Sequence, residues 1–176
     1  LGIDTPEGSA CAECRDRFGI VRESYFAALR TDDAPLSRAT APFGLSEAAA
    51  HVLDDFARYT ASLHEKGVLH SDYNRTNVLY RTEPDGSTHL QSIDTNRMTF
   101  VRRTSRRACP VDLRRPGCPA AAYPFIVSRS AAARGWDIGG NLLRSAVSRL
   151  PFERRQRLES EIRKHRHGGS AKKRTA

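Results

Sequence analysis

The segment His70-Ser71-Asp72-Tyr73-Asn74-Arg75-Thr76-Asn77 contains the pattern His-x-Asp-x-x-x-x-Asn. This is the spacing of a phosphotransferase catalytic loop, in which the aspartate orients and deprotonates an acceptor hydroxyl and the asparagine binds Mg²⁺. A short loop can direct both side chains into one cleft. The pattern therefore predicts Asp72 as a catalytic base and Asn77 as a metal ligand, and a pattern this short needs support from its surroundings.

The segments on either side of this loop carry clear secondary-structure signals. Residues 46–64 have apolar side chains at helical spacing, with Ser46 as a plausible N-cap, and Gly67 offers a left-handed stop. Downstream, residues 77–81 and 89–93 predict two strands, because a Pro-Asp-Gly-Ser turn separates them.

Asp94 follows the second predicted strand directly. A kinase places its second metal ligand at the end of the corresponding strand. We therefore expect Asp72, Asn77 and Asp94 to converge on Mg²⁺ and ATP, and we expect His70 to brace the loop beside Asp94.

Two stretches resemble the lipopolysaccharide kinase family of bacteria, which phosphorylates Kdo or heptose sugars. They are Leu63-His64-Glu65-Lys66-Gly67-Val68-Leu69-His70-Ser71-Asp72-Tyr73-Asn74-Arg75-Thr76-Asn77-Val78-Leu79-Tyr80 and Ser92-Ile93-Asp94-Thr95-Asn96-Arg97-Met98. The second stretch is the more specific, because Thr95-Asn96 stands where protein kinases have Phe-Gly after the aspartate. Weaker similarity extends to residues 3–7, 23–26 and 134–137.

The resemblance implies an α+β fold with a mainly helical, protein-kinase-like C-lobe and a remnant N-lobe β-hairpin. It also implies an ATP- and Mg²⁺-dependent enzyme that phosphorylates a sugar hydroxyl of the lipopolysaccharide inner core. Asp72, Asn77 and Asp94 would be the catalytic residues, and Asn77 and Asp94 would bind the metal and the nucleotide. The residues placed for acceptor contacts are Asn74, Arg75 and Arg97.

The domain organisation that follows has four parts. Residues 1–33 would be partial N-lobe strands and a hinge, 34–45 a linker, 46–166 the C-lobe and 167–176 a basic disordered tail. Within these parts we expect a hairpin at residues 9–14 and 20–29 that turns at Gly19, a helix at 123–130, and a helical region at 137–166 that Pro151 breaks in two.

The segment before residue 46 lacks three kinase features, namely the Gly-rich phosphate loop, the strand lysine and the helix with its partner glutamate. The chain of 176 residues is also shorter than a whole two-lobed kinase, and its first residue is Leu1. We therefore expect an N-terminally truncated fragment that by itself is inactive or only weakly active.

The positive charge is concentrated in two segments. Residues 98–117 contain six arginines and a single acid, Asp112, and residues 154–176 contain nine Lys/Arg and two Glu, whereas the whole chain carries +9. Such surfaces suit a phosphorylated, carboxylated glycolipid and the anionic membrane face that displays it. The chain has no apolar run of about 20 residues and no secretory signal. We expect a cytoplasmic protein, associated peripherally with the inner membrane, and no nucleic-acid partner.

Several alternatives stay open. The chain could be an aminoglycoside-type or protein kinase, a catalytically dead kinase-like module, or a basic domain that binds nucleic acid. A zinc site built from Cys11, Cys14, Cys109 and Cys118 is a further possibility, although the second pair has an unusual spacing for zinc ligands.

Overall fold

The computed structural model describes residues 2–40, 46–114, 118 and 121–171, with side chains described as far as residue 164. Helices and strands are mixed along the chain, and the strands form three small sheets. The strands are β1 (Gly8–Arg15), β2 (Val21–Ala28), β3 (Ala34–Pro35), β4 (Val68–Leu69), β5 (Val78–Thr82), β6 (Thr88–Ser92) and β7 (Thr99–Phe100). The helices are α1 (Glu47–Glu65), α2 (Ala108–Leu113), α3 (Ala122–Ala133) and α4 (Ile138–Ala171), with a 3₁₀ turn at Thr95–Arg97.

The N-terminal hairpin forms where the sequence predicts it. β1 and β2 pair antiparallel, and Gly19 adopts φ +78° in the connecting turn, a conformation that glycine adopts without strain. Asp16 closes this turn, because its Oδ1 accepts a hydrogen bond from the backbone N–H of Phe18 at 2.8 Å. All residues of both strands are exposed. The hairpin therefore contributes little to the buried core.

Helix α1 supplies much of the core. Ser46 caps it as predicted, with its Oγ accepting from the backbone N–H of Ala49 at 3.2 Å, and Gly67 follows the helix with φ +80°. The apolar face of α1 is buried against side chains from β4, β5, β6, α2 and α3. Burial of a large aliphatic or aromatic side chain contributes about 1.5–3 kcal/mol, so this face anchors the segments that follow it.

The segment predicted as a linker, 34–45, is partly built into a sheet. β3 pairs antiparallel with β5, which in turn pairs with β6. Leu36 is fully buried, and its backbone N–H donates to the carbonyl of Val78 at 2.9 Å. Residues 41–45 lie outside the described residues. The chain is thus fixed to the sheet just before it reaches helix α1.

The predicted break at Pro151 is wrong, because α4 runs through this residue as one helix. Pro151 lies on the exposed side, and so does Val147, whose carbonyl loses its helical donor at the proline. That carbonyl can therefore be hydrated, which lowers the cost of the proline. The helix continues to Ala171, within the segment expected to be a tail, and residues 172–176 lie outside the described residues. Neither α4 nor any other helix in the described part of the chain has the length and apolar character to cross a membrane.

Candidate active site

The loop between β4 and β5 carries the predicted catalytic residues, and internal hydrogen bonds close it. The Asn77 side chain donates from Nδ2 to the carbonyl of Asp72 at 3.0 Å, and the backbone N–H of Asn74 donates to the same carbonyl at 2.8 Å. Because Nδ2 is used inside the loop, the Oδ1 of Asn77 is the atom that can serve as a ligand. The structure therefore brings Asp72 and Asn77 together in one loop.

Tyr73 fastens this loop to the core. Its ring is buried, lies 5.3 Å from the ring of Phe56 and stacks on His70 at 5.0 Å. Its hydroxyl lies 2.7 Å from Oγ1 of Thr60 on helix α1. Burial raises the pKa of Tyr73 well above its usual value, so the phenol stays neutral and acts as an anchor. The buried ring and hydroxyl of Tyr73 thus hold the loop against helix α1.

The end of β6 is tied to the loop from two sides. His70 Nε2 lies 3.2 Å from the carbonyl of Ile93, and the backbone N–H of Ile93 donates to the carbonyl of Asn77 at 2.9 Å. A carbonyl only accepts, so Nε2 of His70 carries the proton in this contact. The prediction that His70 braces the loop beside Asp94 is confirmed, because Ile93 is the residue directly before Asp94.

Asp94 lies in a strained turn. Its backbone is left-handed, with φ +53° and ψ +54°, and its Oδ1 accepts from Nδ2 of Asn96 at 3.2 Å. Non-glycine residues are uncommon in this region, and residues held there are concentrated at functional sites. The carboxylate is exposed, so it can reach a ligand in the adjacent cleft.

Arg97 lies beside the predicted base. One of its guanidinium nitrogens is 3.6 Å from Oδ2 of Asp72, and the arginine side chain is 66% exposed. An ion pair as open as this contributes about 0–1 kcal/mol and yields readily to a competing ligand. The structure places Arg97 next to Asp72, and the acceptor-side role of Arg97 stays a prediction.

Asn74 and Arg75 have structural partners within this region. Asn74 Oδ1 accepts from the backbone N–H of Thr76 at 2.7 Å, which is the geometry of an Asx turn. Arg75 Nη1 donates to Oγ1 of Thr40 at 3.1 Å. Both side chains therefore shape the loop and its connection to the segment after β3, and their acceptor-side role stays a prediction.

Asp112 on helix α2 is the important residue that sequence reasoning missed. It is buried, and its carboxylate accepts from the backbone N–H of Ser71 at 2.7 Å, from that of His70 at 3.1 Å and from His64 Nε2 at 3.0 Å. It thereby fixes the backbone immediately before Asp72. The available signal was its position as the single acid among the arginines of residues 98–117, and Arg115 in that stretch lies outside the described residues.

His64 balances the charge of Asp112. Burial is the largest single effect and would lower the pKa of His64, but the hydrogen bonds and charges of Asp112 and Cys109 together outweigh it, so the pKa is raised above its ordinary value. The imidazole is therefore stabilised in its charged form. The buried carboxylate and the buried imidazolium then form a charge pair. Removing either partner alone would leave an uncompensated buried charge.

A cleft of about 650 Å³ lies between the hairpin and the turn that carries Asp94. The hairpin supplies Tyr25 and Phe26 to its lining, and the other wall is formed by residues 93–96. This volume is within the range of small-molecule sites. An aromatic wall opposite a carboxylate suits a ligand with a planar ring and a charged, metal-bound end.

Asp94 lines this cleft, and the loop that carries Asn77 is joined to the preceding residue, Ile93, by a backbone hydrogen bond. The oxygen atoms of these two side chains are of the kind that binds Mg²⁺. Asp94 offers a carboxylate and Asn77 an amide oxygen, and Mg²⁺ in phosphotransfer sites is bound by one or two such protein oxygens together with substrate phosphates. No group of three or more His, Cys, Asp or Glu side chains suited to a metal occurs in the part of the chain that the structure describes. Cys11 and Cys14 are exposed on β1, whereas Cys109 and Cys118 are buried, so the zinc alternative gains no support.

Comparison with known proteins bears on the fold. No protein-family model matches the chain, and no curated protein sequence matches it. A solved structure of WaaP in complex with acyl carrier protein superposes on this chain with a TM-score of 0.63 and 16% sequence identity. The aligned region covers 88% of this chain and 68% of that chain. The likeness shows that this chain shares the α+β fold of that structure.

Proposed function

We propose that this chain provides the catalytic loop and metal ligands of an ATP-dependent phosphotransferase that acts on a sugar hydroxyl of the lipopolysaccharide inner core, in Kdo or heptose. The observation that carries the proposal is the attachment of Ile93 to both His70 and Asn77. It fixes the segment with Asp94 against the loop with Asp72, although the two segments are separate in the sequence. The kinase-like fold supports the same assignment.

In this proposal, Asp72 orients the acceptor hydroxyl and accepts its proton as the hydroxyl oxygen bonds to phosphorus. Mg²⁺·ATP, when bound, supplies the γ-phosphoryl group and releases ADP. Asn77 and Asp94 hold the metal and thereby orient the nucleotide in the cleft next to the hairpin. Arg97 moves from its loose pair with Asp72 to an anionic group of the acceptor. Asn74 and Arg75 shape the acceptor side of the loop.

The acceptor class rests on the family resemblance and on the concentrated positive charge. A phosphorylated or carboxylated sugar would be attracted to the arginines of residues 98–117, which follow the Asp94 turn directly. The alternatives are another small-molecule or protein acceptor and a catalytically dead, basic binding module. A screen of acceptor substrates would distinguish an inner-core sugar from the other acceptors of the first alternative. The second would bind nucleic acid with a steep negative dependence on salt.

The test of this function is nucleotide binding by three variants, measured by calorimetry with and without Mg²⁺. Asp94→Asn is expected to weaken Mg²⁺-dependent ATP binding by at least about tenfold, because it removes a charged metal ligand. Asp72→Asn should retain binding and lower phosphotransfer about 10²- to 10⁴-fold in any form of the protein that transfers phosphate. Asp54→Asn, an acid on α1 outside the cleft, is the matched control. Equal ATP binding by the wild type and by Asp94→Asn would refute the metal assignment.

We further propose that helix α4 binds the anionic face of the inner membrane. Its first turns bury Asn141 and Ser145, while Leu143, Val147 and Leu150 are about two-thirds exposed on the opposite side. Leu158 continues this exposed side and is 60% exposed. Basic side chains lie on and around this side of the helix, at Arg144, Arg154, Arg155 and Arg157. An exposed apolar stripe with basic flanks is the pattern of an interfacial membrane helix.

Replacing Leu143 and Val147 together with asparagine is expected to weaken binding to vesicles that contain phosphatidylglycerol by at least about tenfold, since each buried aliphatic side chain contributes about 1.5–3 kcal/mol. Vesicle co-sedimentation measures the change. Phe18→Asn, which replaces an exposed apolar residue on the hairpin turn, should leave binding unchanged. Wild-type binding by the double variant, or equal binding to neutral and anionic vesicles, would contradict the assignment.

A further inference from the structure

We infer that a second cleft, beside Ser71, binds a phosphate or carboxylate group of the acceptor. This inference rests on the proposed function, because it assigns the acceptor side of the same site. The cleft has a volume of about 500 Å³ and is separate from the cleft next to the hairpin. Its lining consists of Leu69, Ser71, Ser105, Arg107, Ala108, Val111, Asp112 and Arg114.

The position of this cleft relates it to the catalytic loop. Ser71 is exposed on its wall, has a left-handed backbone with φ +63°, and directly precedes Asp72. A sugar that presents a hydroxyl to Asp72 could therefore place a neighbouring substituent in this cleft. The apolar side chains of Leu69 and Val111 add surface for the carbon face of a sugar ring. The lining is thus suited to a charged sugar rather than to a bare ion.

Two arginines make this cleft positive. Arg107 is exposed on its rim, and Arg114 lies with its guanidinium carbon 4.7 Å from the centre of the Phe152 ring. The Nε of Arg114 is buried and has no hydrogen-bond partner in the described structure. A buried N–H without a partner is costly, so Arg114 has a donor that the described structure leaves unused. The planar fork of arginine matches phosphate and carboxylate oxygens.

The carboxylate of Asp112 also faces this cleft, and its bonding explains why it does not repel an anion. Its oxygens already accept hydrogen bonds from the backbone N–H groups of His70 and Ser71 and from His64. The buried ring of His64 lies 3.0 Å from this carboxylate and has a raised pKa, so it offsets part of the carboxylate's negative charge. The charges left to act on a ligand are therefore those of Arg107 and Arg114.

The experiment follows arginine Nε–H resonances by NMR while sodium phosphate replaces sodium chloride at constant ionic strength. The signals of Arg107 and Arg114 are expected to shift along a saturating curve, whereas those of Arg102 and Arg103 should not. The variant with Arg107→Gln and Arg114→Lys should bind phosphate at least about tenfold more weakly, because charge-assisted hydrogen bonds are lost. Arg103→Gln is the matched control. A second titration with free Kdo, which has a carboxylate and no phosphate, identifies which anion the cleft prefers.

Equal, unsaturable shifts at all four arginines would show only general attraction by positive charge and would overturn the inference. Unchanged phosphate binding in the Arg107→Gln, Arg114→Lys variant would also overturn it. The nucleotide-binding experiment with Asp94→Asn concerns the cleft next to the hairpin, so its result is interpreted independently of the phosphate titration. Saturable phosphate binding together with no Mg²⁺-dependent nucleotide binding would refute the proposed function and the acceptor role, while the anion site itself would stand.

Discussion

Replacing Asp112 with asparagine is expected to lower the free energy of unfolding by about 3 to 5 kcal/mol, the cost of breaking a buried charge pair on one side. The carboxylate serves three donors at once, the backbone N–H groups of His70 and Ser71 and the ring of His64. An amide has one acceptor oxygen, and its NH₂ group would face at least one of these donors. Urea denaturation at pH 6 measures the loss.

The same variant is expected to change how stability depends on pH. The pKa of His64 is higher in the folded protein than its ordinary value of 6.5. Its contribution to stability is therefore fully present below about pH 6.5 and is lost as the pH rises through the folded pKa. Cys109 also contributes to the raised pKa of His64, so without the Asp112 carboxylate this loss on the alkaline side should become smaller.

Asp85→Asn is the matched control for this experiment. Asp85 also accepts two hydrogen bonds, from the backbone N–H and the hydroxyl of Ser87, but it is exposed. We expect its replacement to cost less than about 1 kcal/mol and to leave the pH profile above 6.5 unchanged. If the two asparagine variants were equally stable, the buried carboxylate could not be what holds the loop of residues 70–77.

Replacing Gly67 with alanine is expected to destabilise the protein by roughly 3 kcal/mol. Gly67 has φ +80°, and a Cβ at this position would lie 1.9 Å from the backbone carbonyl oxygen of Val101. Val101 N–H donates to the carbonyl of Gly67 at 2.8 Å, next to the pairing of β4 with β7. Accommodation of the Cβ would require the backbone around β7 to move away from β4, which leads into the loop of residues 70–77.

Gly19→Ala is the control that measures the conformational strain alone, without the steric clash expected at residue 67. Gly19 has φ +78°, nearly that of Gly67, but a Cβ at this position would have no neighbouring atom within 4 Å. Its replacement should therefore cost only the left-handed strain of about 1–2 kcal/mol. Thermal and urea unfolding of the two variants measure the difference. A Gly67→Ala protein no less stable than Gly19→Ala would mean that the contact with Val101 relaxes at little cost.

The elements that sequence reasoning placed correctly depend on local signals. The cap of α1 at Ser46, the turn at Gly19 and the strands around residues 83–87 each follow from residues near one another in the chain. The same local reasoning failed at Pro151, because the cost of a proline in a helix depends on whether the freed carbonyl faces water. The exposure of this carbonyl depends on how α4 packs against the rest of the protein. The spacing of apolar residues along the sequence does not predict it.

The amino-acid sequence alone was enough to infer the pattern at residues 70–77, the candidate residues Asp72, Asn77 and Asp94, and the α+β type of fold that the comparison with WaaP supports. The role of Asp112 in holding this loop could not be inferred in that way, because Asp112 lies 41 to 48 residues away from its partners. Short-range patterns follow from backbone geometry and side-chain spacing. A buried carboxylate finds its donors only when separate segments pack together, because burial is what makes an unpaired donor costly.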